Sequence, residues 1–543
     1  MLARADALAA LADAPFDVLV VGGGITGAGV ALDAASRGYT VALVEKGDYA
    51  RGTSSRSTKL IHGGLRYLQT FDLGLVREAL LERQLLAALA PHLVRPLPFV
   101  VPAFDGARPD RILGIGLNAY DVMAVDRRRR RRSREDDWSP ERHRIVDGAE
   151  VLELLPALAA REPTGGYLFY DCQTDDVRLV LTVLAEAERF GAVAVNRVEA
   201  IALTEGGAVV RDAVGGGELT VRAANVVNAT GVWADRLRPE ELHGEAEVPV
   251  IRPSRGTHVI VPNEALPVHA GAIAPAGGGR SVFVLPWLGR TLIGTTDNDF
   301  DGDIEHVQPS RDDVAYLLDA CNGFFGTSLT AADAVGAYAG VRPLISTGDP
   351  RKSVDISRKA ELYETSSGLI TITGGKLTTW RRMAKLAVDR IVEREGREAP
   401  CRTHEIPLGM AVDAGGLPRV EGVPEDAYAQ LAGRYGYAAR DVLLLAAERD
   451  GWAQPVLPGH PDLLAEAAHA ARREQARTVG DVLLRRTRLG LTAARALCAP
   501  GERAPERVAA AMGEELGWDA ARRATEAAAF RAEAEAEGVV VPA

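Results

Sequence analysis

Residues 16–27, FDVLVVGGGITG, decide how the N-terminal part of the chain folds. A short apolar run at residues 16–21 ends in three glycines, a helical pattern follows at residues 25–36, and a second apolar run at residues 40–44 completes a β-α-β unit. In the GxGxxG pattern, Gly22 permits a tight turn, Gly24 lets the backbone approach a pyrophosphate, and Gly27 lets the helix pack on the strand. The stretch therefore predicts a dinucleotide at a helix N-terminus.

Glu45 ends the second strand, where an acid binds a ribose hydroxyl, which supports a dinucleotide but does not separate NAD from FAD. Two later segments favour FAD. Residues 226–231, VVNATG, bring a buried strand back toward the nucleotide. Residues 374–380, GGKLTTW, stand between a strand and a helix whose N-terminus stabilises negative charge on a reduced flavin. Each alone is equally consistent with a plain turn, but together and in this order they predict FAD.

The bulk composition sets the frame for this unit. A chain of 543 residues predicts two or three domains. A net charge of -11 argues against nucleic acid as a partner. Four cysteines without a CxxC pair predict no metal site and suit a reducing, cytoplasmic compartment. The absence of an uncharged apolar run of about 20 residues predicts that any membrane contact is at the surface.

A fifteen-residue stretch carries a family resemblance. Residues 54–68, SSRSTKLIHGGLRYL, closely resemble the signature of the FAD-dependent, respiratory glycerol-3-phosphate dehydrogenases, within the D-amino-acid-oxidase-like flavoproteins. The similarity extends over about residues 17–387. Four further segments match family motifs, namely GVRPL at 340–344, GGKLTT at 374–379, GTTD at 294–297 and residues 171–181.

The resemblance and the glycine loop together predict the residues that bind FAD. They come from five parts of the chain: the glycine loop, the end of the second strand, the signature stretch, the VVNATG turn and the GGKLTT loop. The predicted set is Gly22, Gly24, Ile25, Thr26, Gly27, Glu45, Lys46, Thr53, Ser54, Ser57, His62, Gly63, Gly64, Leu65, Thr230, Gly231, Gly375, Lys376, Leu377 and Thr378.

The resemblance implies oxidation of sn-glycerol 3-phosphate to dihydroxyacetone phosphate, with hydride transfer from C2 to flavin N5. A phosphate dianion needs several Arg or Lys donors. By resemblance these are Arg66, Arg342, Arg358 and Lys376, although the flanks of Arg358 depart from the family pattern. The alternative for each is a surface or ion-paired cation. With only six lysines in the chain, Lys376 in its glycine-bounded loop is not explained by abundant usage.

The predicted catalytic residues are His258, Arg342 and Lys376. A neutral imidazole suits removal of the C2 hydroxyl proton near pH 7, which makes His258 the candidate general base. A lone histidine on a strand is more often structural, so the base role depends on the resemblance. Arg342 or Lys376 is the alternative group that stabilises the alkoxide or carries the proton.

The predicted fold is α/β with three parts. A discontinuous Rossmann-type FAD-binding domain takes residues 1–70, 157–240 and 333–398. An antiparallel-sheet substrate cap takes residues 71–156 and 241–332. After about residue 400 alanine, leucine, arginine and glutamate dominate, which predicts an all-helical C-terminal domain at residues 402–543.

An apolar helical stretch, residues 111–123, precedes six consecutive arginines at 127–132. Such a pair can lie on an anionic membrane, so residues 112–134 are the predicted membrane-facing surface. The alternative is a buried cap helix followed by a solvated basic loop. The resemblance implies a peripheral protein on the cytoplasmic face that reduces a quinone. A homodimer is one of the oligomeric states considered.

Three rival functions remain open beside this prediction. A glycerol-3-phosphate oxidase shares the site but passes electrons to oxygen and forms peroxide; its relatives carry a cap insertion that we do not find in the sequence. An amino-acid oxidase needs a carboxylate clamp and gives no reason for the phosphate-clamp motifs. A non-catalytic flavin-binding sensor predicts bound FAD that glycerol 3-phosphate cannot reduce.

Overall fold

A computed structural model of the chain describes residues 1–65, 72–105, 110–124, 142–237, 250–346 and 360–542. Three bodies of secondary structure fill these ranges: a largely parallel sheet flanked by helices, a largely antiparallel sheet, and a C-terminal array of helices. The predicted fold class is confirmed.

The first sheet has a parallel core. Its parallel strands are β1 (Phe16–Val21), β2 (Val41–Glu45), β7 (Val193–Asn196), β10 (Glu218–Asn228) and β18 (Ile370–Gly374). Antiparallel strands extend it, namely β8 (Val198–Thr204), β9 (Gly207–Asp212) and β17 (Ala360–Glu364). The order is β17-β18-β10-β1-β2-β7, and β9 joins β8 to β10. Its helices are α1 (Arg4–Asp13), α2 (Ile25–Ser36), α6 (Asp176–Arg189) and α8 (Trp380–Glu395).

Small side chains on α2 allow α8 to pack closely against it. A Cβ on Gly29 would lie 2.6 Å from Cε3 of Trp380, which begins α8 and is 1% exposed. Because Trp380 follows directly after the GGKLTT loop, this contact fixes the loop above the parallel strands.

The second sheet is antiparallel except where β12 meets β4. Its strands are β3 (Leu60–Ile61), β4 (Arg95–Ala103), β5 (Arg144–Asp147), β6 (Gly165–Gln173), β11 (Val250–Pro262), β12 (Gly271–Pro275), β13 (Ser281–Trp287), β14 (Arg290–Gly294), β15 (Asn298–Asp299) and β16 (Gly336–Ser346). The order is β15-β11-β14-β13-β12-β4-β6-β3, with β16 also on β11 and β5 also on β6. Helices α3 (Leu73–Leu89), α4 (Arg111–Ala124), α5 (Gly148–Leu154) and α7 (Arg311–Phe325) accompany this sheet.

The C-terminal helices share a core with the second sheet. They are α9 (Glu425–Tyr435), α10 (Ala439–Glu448), α11 (Leu464–Arg473), α12 (Leu489–Thr492), α13 (Ala494–Leu497), α14 (Ala504–Leu516) and α15 (Ala520–Ala536), with a π-helical segment at Asp481–Arg486. One continuous apolar cluster contains Phe99 and Tyr338 of the sheet as well as Leu483 and Phe530 of the helical part. The C-terminal domain is therefore packed onto the sheet and not appended to it.

Short 3-10 helices occur at Thr53–Ser55, Pro156–Arg161, Gly231–Leu237, Ala331–Asp333, Leu377–Thr379, Ala414–Gly416 and Gly436–Ala438. In the described ranges, no helix is both long and apolar enough to cross a membrane.

The strand pairing differs from the predicted domain division at two long strands. That division assigned β6 and β16 to the FAD-binding domain, but β6 pairs with β4 and β5, and β16 pairs with β11 along its whole length. Motif position suggested the assignment, whereas hydrogen-bonded partners place both strands in the second sheet. The other boundaries stay predictions.

Candidate active site

The glycine loop between β1 and α2 is built from backbone in close contact. Gly22 has φ +114, a conformation that only glycine adopts readily. A Cβ on Gly27 would lie 1.9 Å from the Gly22 carbonyl oxygen, and a Cβ on Gly22 would lie 2.6 Å from that of Ala229. The loop, the first turn of α2 with the half-buried Thr26, and the end of β10 therefore touch without intervening side chains.

Glu45, at the end of β2, is ordered by this loop. Its two carboxylate oxygens accept hydrogen bonds from the amides of Gly23 and Gly47, each at 2.7 Å. Burial raises the pKa of Glu45, while the Gly47 and Gly23 amides oppose that rise. The ammonium of the next residue, Lys46, is 2.7 Å from Glu305 Oε1, and its predicted cofactor contact stays a prediction.

Residues 53–65, which we call the signature segment, bind the other predicted motifs together. The amide of Ile25 donates to Ser54 Oγ at 2.9 Å, and Thr53 Oγ1 donates to the Val341 carbonyl at 2.6 Å. At its far end, the His62 amide donates to Thr378 Oγ1 at 3.1 Å. The glycine loop, β16 and the loop after β18 thus converge on one segment.

The glycines of the signature segment and of the GGKLTT loop occupy crowded positions. A Cβ on Gly63 would lie 2.3 Å from Leu80 Cδ2, and the adjoining Gly64 has φ +75. Gly375 has φ +70, and a Cβ there would lie 2.4 Å from Met383 Sδ. Leu65 and Leu377 complete the two segments as partly buried apolar side chains.

The turn after β10 meets the end of β18. Thr230 Oγ1 donates to Asn228 Oδ1 at 2.7 Å, and Gly231 follows with φ +60. Thr373 Oγ1 donates to the Gly231 carbonyl at 3.3 Å. The two strand ends that predict FAD are therefore the carboxyl ends of β10 and β18, which are parallel neighbours in the sheet.

His258 lies on β11, and only 2% of it is exposed. Its Nε2 shares a hydrogen bond of 3.0 Å with Thr58 Oγ1, and its ring stacks on Tyr338 at 4.6 Å. Among the described residues Nδ1 has no hydrogen-bond partner. Burial, followed by the charges of Lys59 and Arg342, lowers the pKa of His258 well below its ordinary value. The imidazole is therefore neutral at pH 7, with one nitrogen left for a ligand.

Arg342, on β16, is oriented by the GTTD segment that joins β14 to β15. Its Nη1 donates to Asp297 Oδ1 at 3.1 Å, and its Nη2 donates to the Thr296 carbonyl and to Thr295 Oγ1 at 3.1 and 3.2 Å. Gly256 of β11 makes room for it, because a Cβ there would lie 2.6 Å from Nη2. Arg342 pairs in register with Ser254, and its guanidinium lies over Gly256, two residues before His258 on β11.

The remaining predicted cations are placed only in part. Lys376 is half-buried and precedes the 3-10 helix Leu377–Thr379, on the loop that Thr378 ties to the signature segment. Arg66 and Arg358 lie outside the described residues. The individual site roles stay predictions.

The described residues fit FAD. The glycine loop offers a backbone cradle that any Cβ would fill, and the α2 N-terminus, with Gly24 as its N-cap, points positive partial charge toward a pyrophosphate. The residues predicted to hold FAD are therefore clustered around that cradle and the signature segment.

Sequence reasoning missed several residues around His258. Thr58 and Lys59 lie inside the signature stretch, and Tyr338 lies just before the GVRPL motif; all three were quoted or bordered by motifs but given no role. Asp176 was inside a matching segment in the same way. Arg488 had one signal, since it belongs to three arginines interrupting an apolar run, DVLLRRTRLGL.

Comparison with known proteins agrees with this arrangement. Residues 17–390 match the family model described as FAD dependent oxidoreductase, and residues 370–523 match the C-terminal domain of alpha-glycerophosphate oxidase. Glycerol-3-phosphate dehydrogenase 2 of Mycobacterium tuberculosis is 38% identical over 98% of this chain and 90% of its own. Glycerol-3-phosphate dehydrogenase 1 of the same species is 39% identical over 90% of this chain and 94% of its own.

Two solved structures are informative about the fold. The glycerol-3-phosphate dehydrogenase of Bacillus halodurans, complexed with FAD, is 29% identical with a TM-score of 0.76 and covers 98% of this chain and 97% of its own. The L-alpha-glycerophosphate oxidase of Mycoplasma pneumoniae shares only the fold, at 18% identity and a TM-score of 0.54 over 74% of this chain and 99% of its own. The chain therefore belongs to the FAD-dependent oxidoreductases and, within them, to the glycerol-3-phosphate dehydrogenase family.

Proposed function

We propose that this enzyme oxidises sn-glycerol 3-phosphate to dihydroxyacetone phosphate and passes the electrons to a quinone. The observation that carries the proposal is the environment of His258. This buried, neutral imidazole is hydrogen-bonded to Thr58 of the signature segment, and its strand β11 pairs with β16, which carries Arg342. The names of the full-length relatives support the substrate.

The protein's own residues supply binding and proton transfer. Bound FAD supplies the acceptor for the hydride that leaves C2. His258 accepts the proton of the C2 hydroxyl on Nδ1, the nitrogen without a partner among the described residues. Arg342 and Lys376, together with Arg66 and Arg358, bind the phosphate dianion. Tight packing around His258 keeps bulk water from this proton.

Anaerobic mixing with sn-glycerol 3-phosphate tests the activity at the flavin absorbance. We expect rapid bleaching, and no bleaching with glycerol, which lacks the phosphate. His258→Ala should slow bleaching by about 10²–10⁴-fold, the usual contribution of a general base, with FAD content unchanged. Wild-type FAD that the substrate cannot reduce would contradict the proposal and favour the sensor.

The electron acceptor is a separate question. Near full-length similarity to a dehydrogenase supports a quinone, while the oxidase name of the C-terminal family model and the oxidase fold keep oxygen as the second candidate. Turnover with a soluble quinone analogue and little peroxide is expected. Peroxide formed in step with substrate loss would reverse the assignment.

We also propose that α4 places the enzyme on the cytoplasmic face of an anionic membrane. Ile112, Ile115 and Val122 share one face of α4 and are 80%, 71% and 73% exposed, while Leu117 and Tyr120 face the core. An exposed apolar stripe of this kind suits an interfacial helix. The six arginines that follow lie outside the described residues.

Flotation with vesicles containing phosphatidylserine tests this surface. We expect binding at low salt that Ile112→Glu combined with Ile115→Glu abolishes. Leu444→Glu is the matched control, because Leu444 is 66% exposed on α10 of the C-terminal domain. Equal flotation of both variants would refute a role for α4.

A further inference from the structure

A buried ionic cluster joins the C-terminal domain to the signature segment. Asp176, the first residue of α6, is completely buried. Its Oδ2 accepts from Lys59 Nζ and from Ser57 Oγ, both at 2.7 Å, and its Oδ1 accepts from Arg488 Nη2. Arg488 comes from the C-terminal domain, between the π-helical segment and α12. One carboxylate thus links two parts of the chain that are far apart in sequence.

The cluster is balanced in charge. Asp175 Oδ1 lies 3.4 Å from Arg488 Nε, so two carboxylates face two cations, Lys59 and Arg488. Trp287 packs beside both cations, 5.4 Å from Lys59 Nζ and 5.9 Å from the Arg488 guanidinium carbon. Because Lys59, Asp176 and Arg488 are buried, loss of Arg488 would leave one negative charge in excess next to Lys59.

The two residues that carry these cations have a backbone conformation that is rare for non-glycine residues. Lys59 has φ +62 and Arg488 has φ +68, the left-handed region that long side chains rarely adopt. Such residues persist where the surroundings hold them, and they gather at functional sites. Here the Asp176 carboxylate is the group that holds both.

This cluster lies one residue from the contacts of His258. Thr58, which shares the hydrogen bond with His258 Nε2, stands between Ser57 and Lys59, and both of these bind Asp176. The stacking partner Tyr338 donates its hydroxyl to the Ser57 carbonyl at 2.8 Å. The backbone that Asp176 fixes therefore carries Thr58 and accepts the hydrogen bond of Tyr338, the two side chains that contact the imidazole.

We propose that Arg488 is a positioning residue of the active site, which acts through Asp176 and the Thr58 hydroxyl to hold His258. This gives the C-terminal domain a part in the reaction. The inference rests on the proposed role of His258 as base.

A double-mutant cycle on the holoenzyme tests this path. Arg488→Met should lower kcat by about 10- to 100-fold, the usual cost of displacing a catalytic group by a fraction of an ångström to one ångström, with KM and FAD content little changed. Thr58→Val removes the hydroxyl that contacts His258. If Arg488 acts through Thr58, adding Arg488→Met to Thr58→Val should lower kcat little further. Independent, multiplying effects would overturn the proposal.

Two further variants separate positioning from stability. Arg531→Met removes another arginine of the C-terminal domain, but its partners, Glu506 and the carbonyls of Glu502 and Ala527, all lie within that domain and away from Arg488. It should lower the unfolding temperature with kcat unchanged in the folded fraction; a kcat loss equal to that of Arg488→Met would overturn the proposal. Arg488→Lys keeps the charge and should partly restore kcat. If Arg488→Met does not fold, the cycle is run with Arg488→Lys and Thr58→Val under the same criterion.

A readout without substrate separates this proposal from the proposed function. In ¹⁵N-histidine-labelled holoenzyme, the His258 signal is assigned by its loss in His258→Ala. Arg488→Met should shift this signal and Arg531→Met should not, whether or not glycerol 3-phosphate reduces the flavin. An unshifted signal would defeat the positioning role alone, whereas unreduced wild-type flavin would defeat the proposed function alone.

Discussion

Gly294→Ala should misplace His258 without touching the cofactor cradle. His258 sits on β11 between Gly294 on β14 and Tyr338 on β16. A Cβ on Gly294 would lie 2.2 Å from His258 Cδ2, whereas ordinary van der Waals contact begins at 3.4 Å. The ring must retreat by about 1.2 Å, and the stacked Tyr338 ring at 4.6 Å restricts that retreat.

The expected loss of turnover follows from this displacement. A misplacement of about 1 Å can cost about 10²-fold, which corresponds to about 2.7 kcal/mol of transition-state stabilisation. The assay is anaerobic reduction of the flavin by sn-glycerol 3-phosphate, followed at saturating substrate. FAD content and unfolding temperature of the same preparation report whether the variant is folded and loaded.

Two comparisons make this prediction specific. Gly323→Ala on α7 introduces a Cβ with nothing within 4 Å and should leave the reduction rate unchanged. In a His258→Ala background, Gly294→Ala should have no further effect, because the displaced group is gone. The reasoning is refuted if Gly294→Ala, fully loaded with FAD, reduces at the wild-type rate.

Three other outcomes follow from the site. The acid limb of kcat/KM against pH should lie well below pH 6.5, because a lowered pKa keeps His258 neutral as the pH falls. Lys59→Met removes one cause of the lowered pKa and should move this limb to higher pH. A wild-type limb at or above pH 6.5 would count against His258 as the base. Gly27→Ala places a Cβ 1.9 Å from the Gly22 carbonyl and should yield apoprotein, measured as the flavin-to-protein absorbance ratio. Arg486→Met breaks the buried ion pair with Asp48, which lies three residues after the end of β2. It should speed FAD release, measured by flavin fluorescence on dilution, more than it lowers kcat in the FAD-loaded enzyme.

Local patterns predicted the nucleotide-binding unit well. The predicted strand at residues 16–21 and helix at residues 25–36 coincide with β1 and α2. Apolar periodicity and glycine turns determine such elements within a few residues of sequence. The helical character of the C-terminal region is confirmed for the same reason.

Long-range pairing limited the prediction of the second sheet. β16 contains two glycines and a proline, and its apolar and polar residues do not alternate clearly, so its sequence does not predict a strand. It becomes one because β11 pairs with it from Val250 to Ile260. Within β11 only residues 258–261 have a sequence typical of a strand, since the other half of β11 depends on the same partner.

Contacts between residues of recognised motifs could be predicted from the sequence. Ion pairs between charged residues that are far apart in the chain could not. Thr378 and His62 could be predicted to meet, because both belong to motifs of one cofactor site. No local pattern relates Arg488 to Asp176, which are 312 positions apart. A buried pair of this kind depends on the packing of two domains.

Ion pairs of the C-terminal domain separate into two groups by their partners. Arg531 is paired with Glu506 within the domain, on helices that bear no predicted site residue. Arg488 is buried and pairs with a carboxylate that belongs to α6 and is shared with the signature segment. A buried pair of this type contributes little net stability compared with apolar packing, since desolvation offsets most of the attraction. Its directional hydrogen bonds can still fix one arrangement of Thr58 against His258. Removal of Arg488 alone leaves Asp175 and Asp176 facing Lys59, so Arg488→Met should cost about 3–5 kcal/mol of stability, and its loss of turnover is measured in the folded, FAD-loaded fraction.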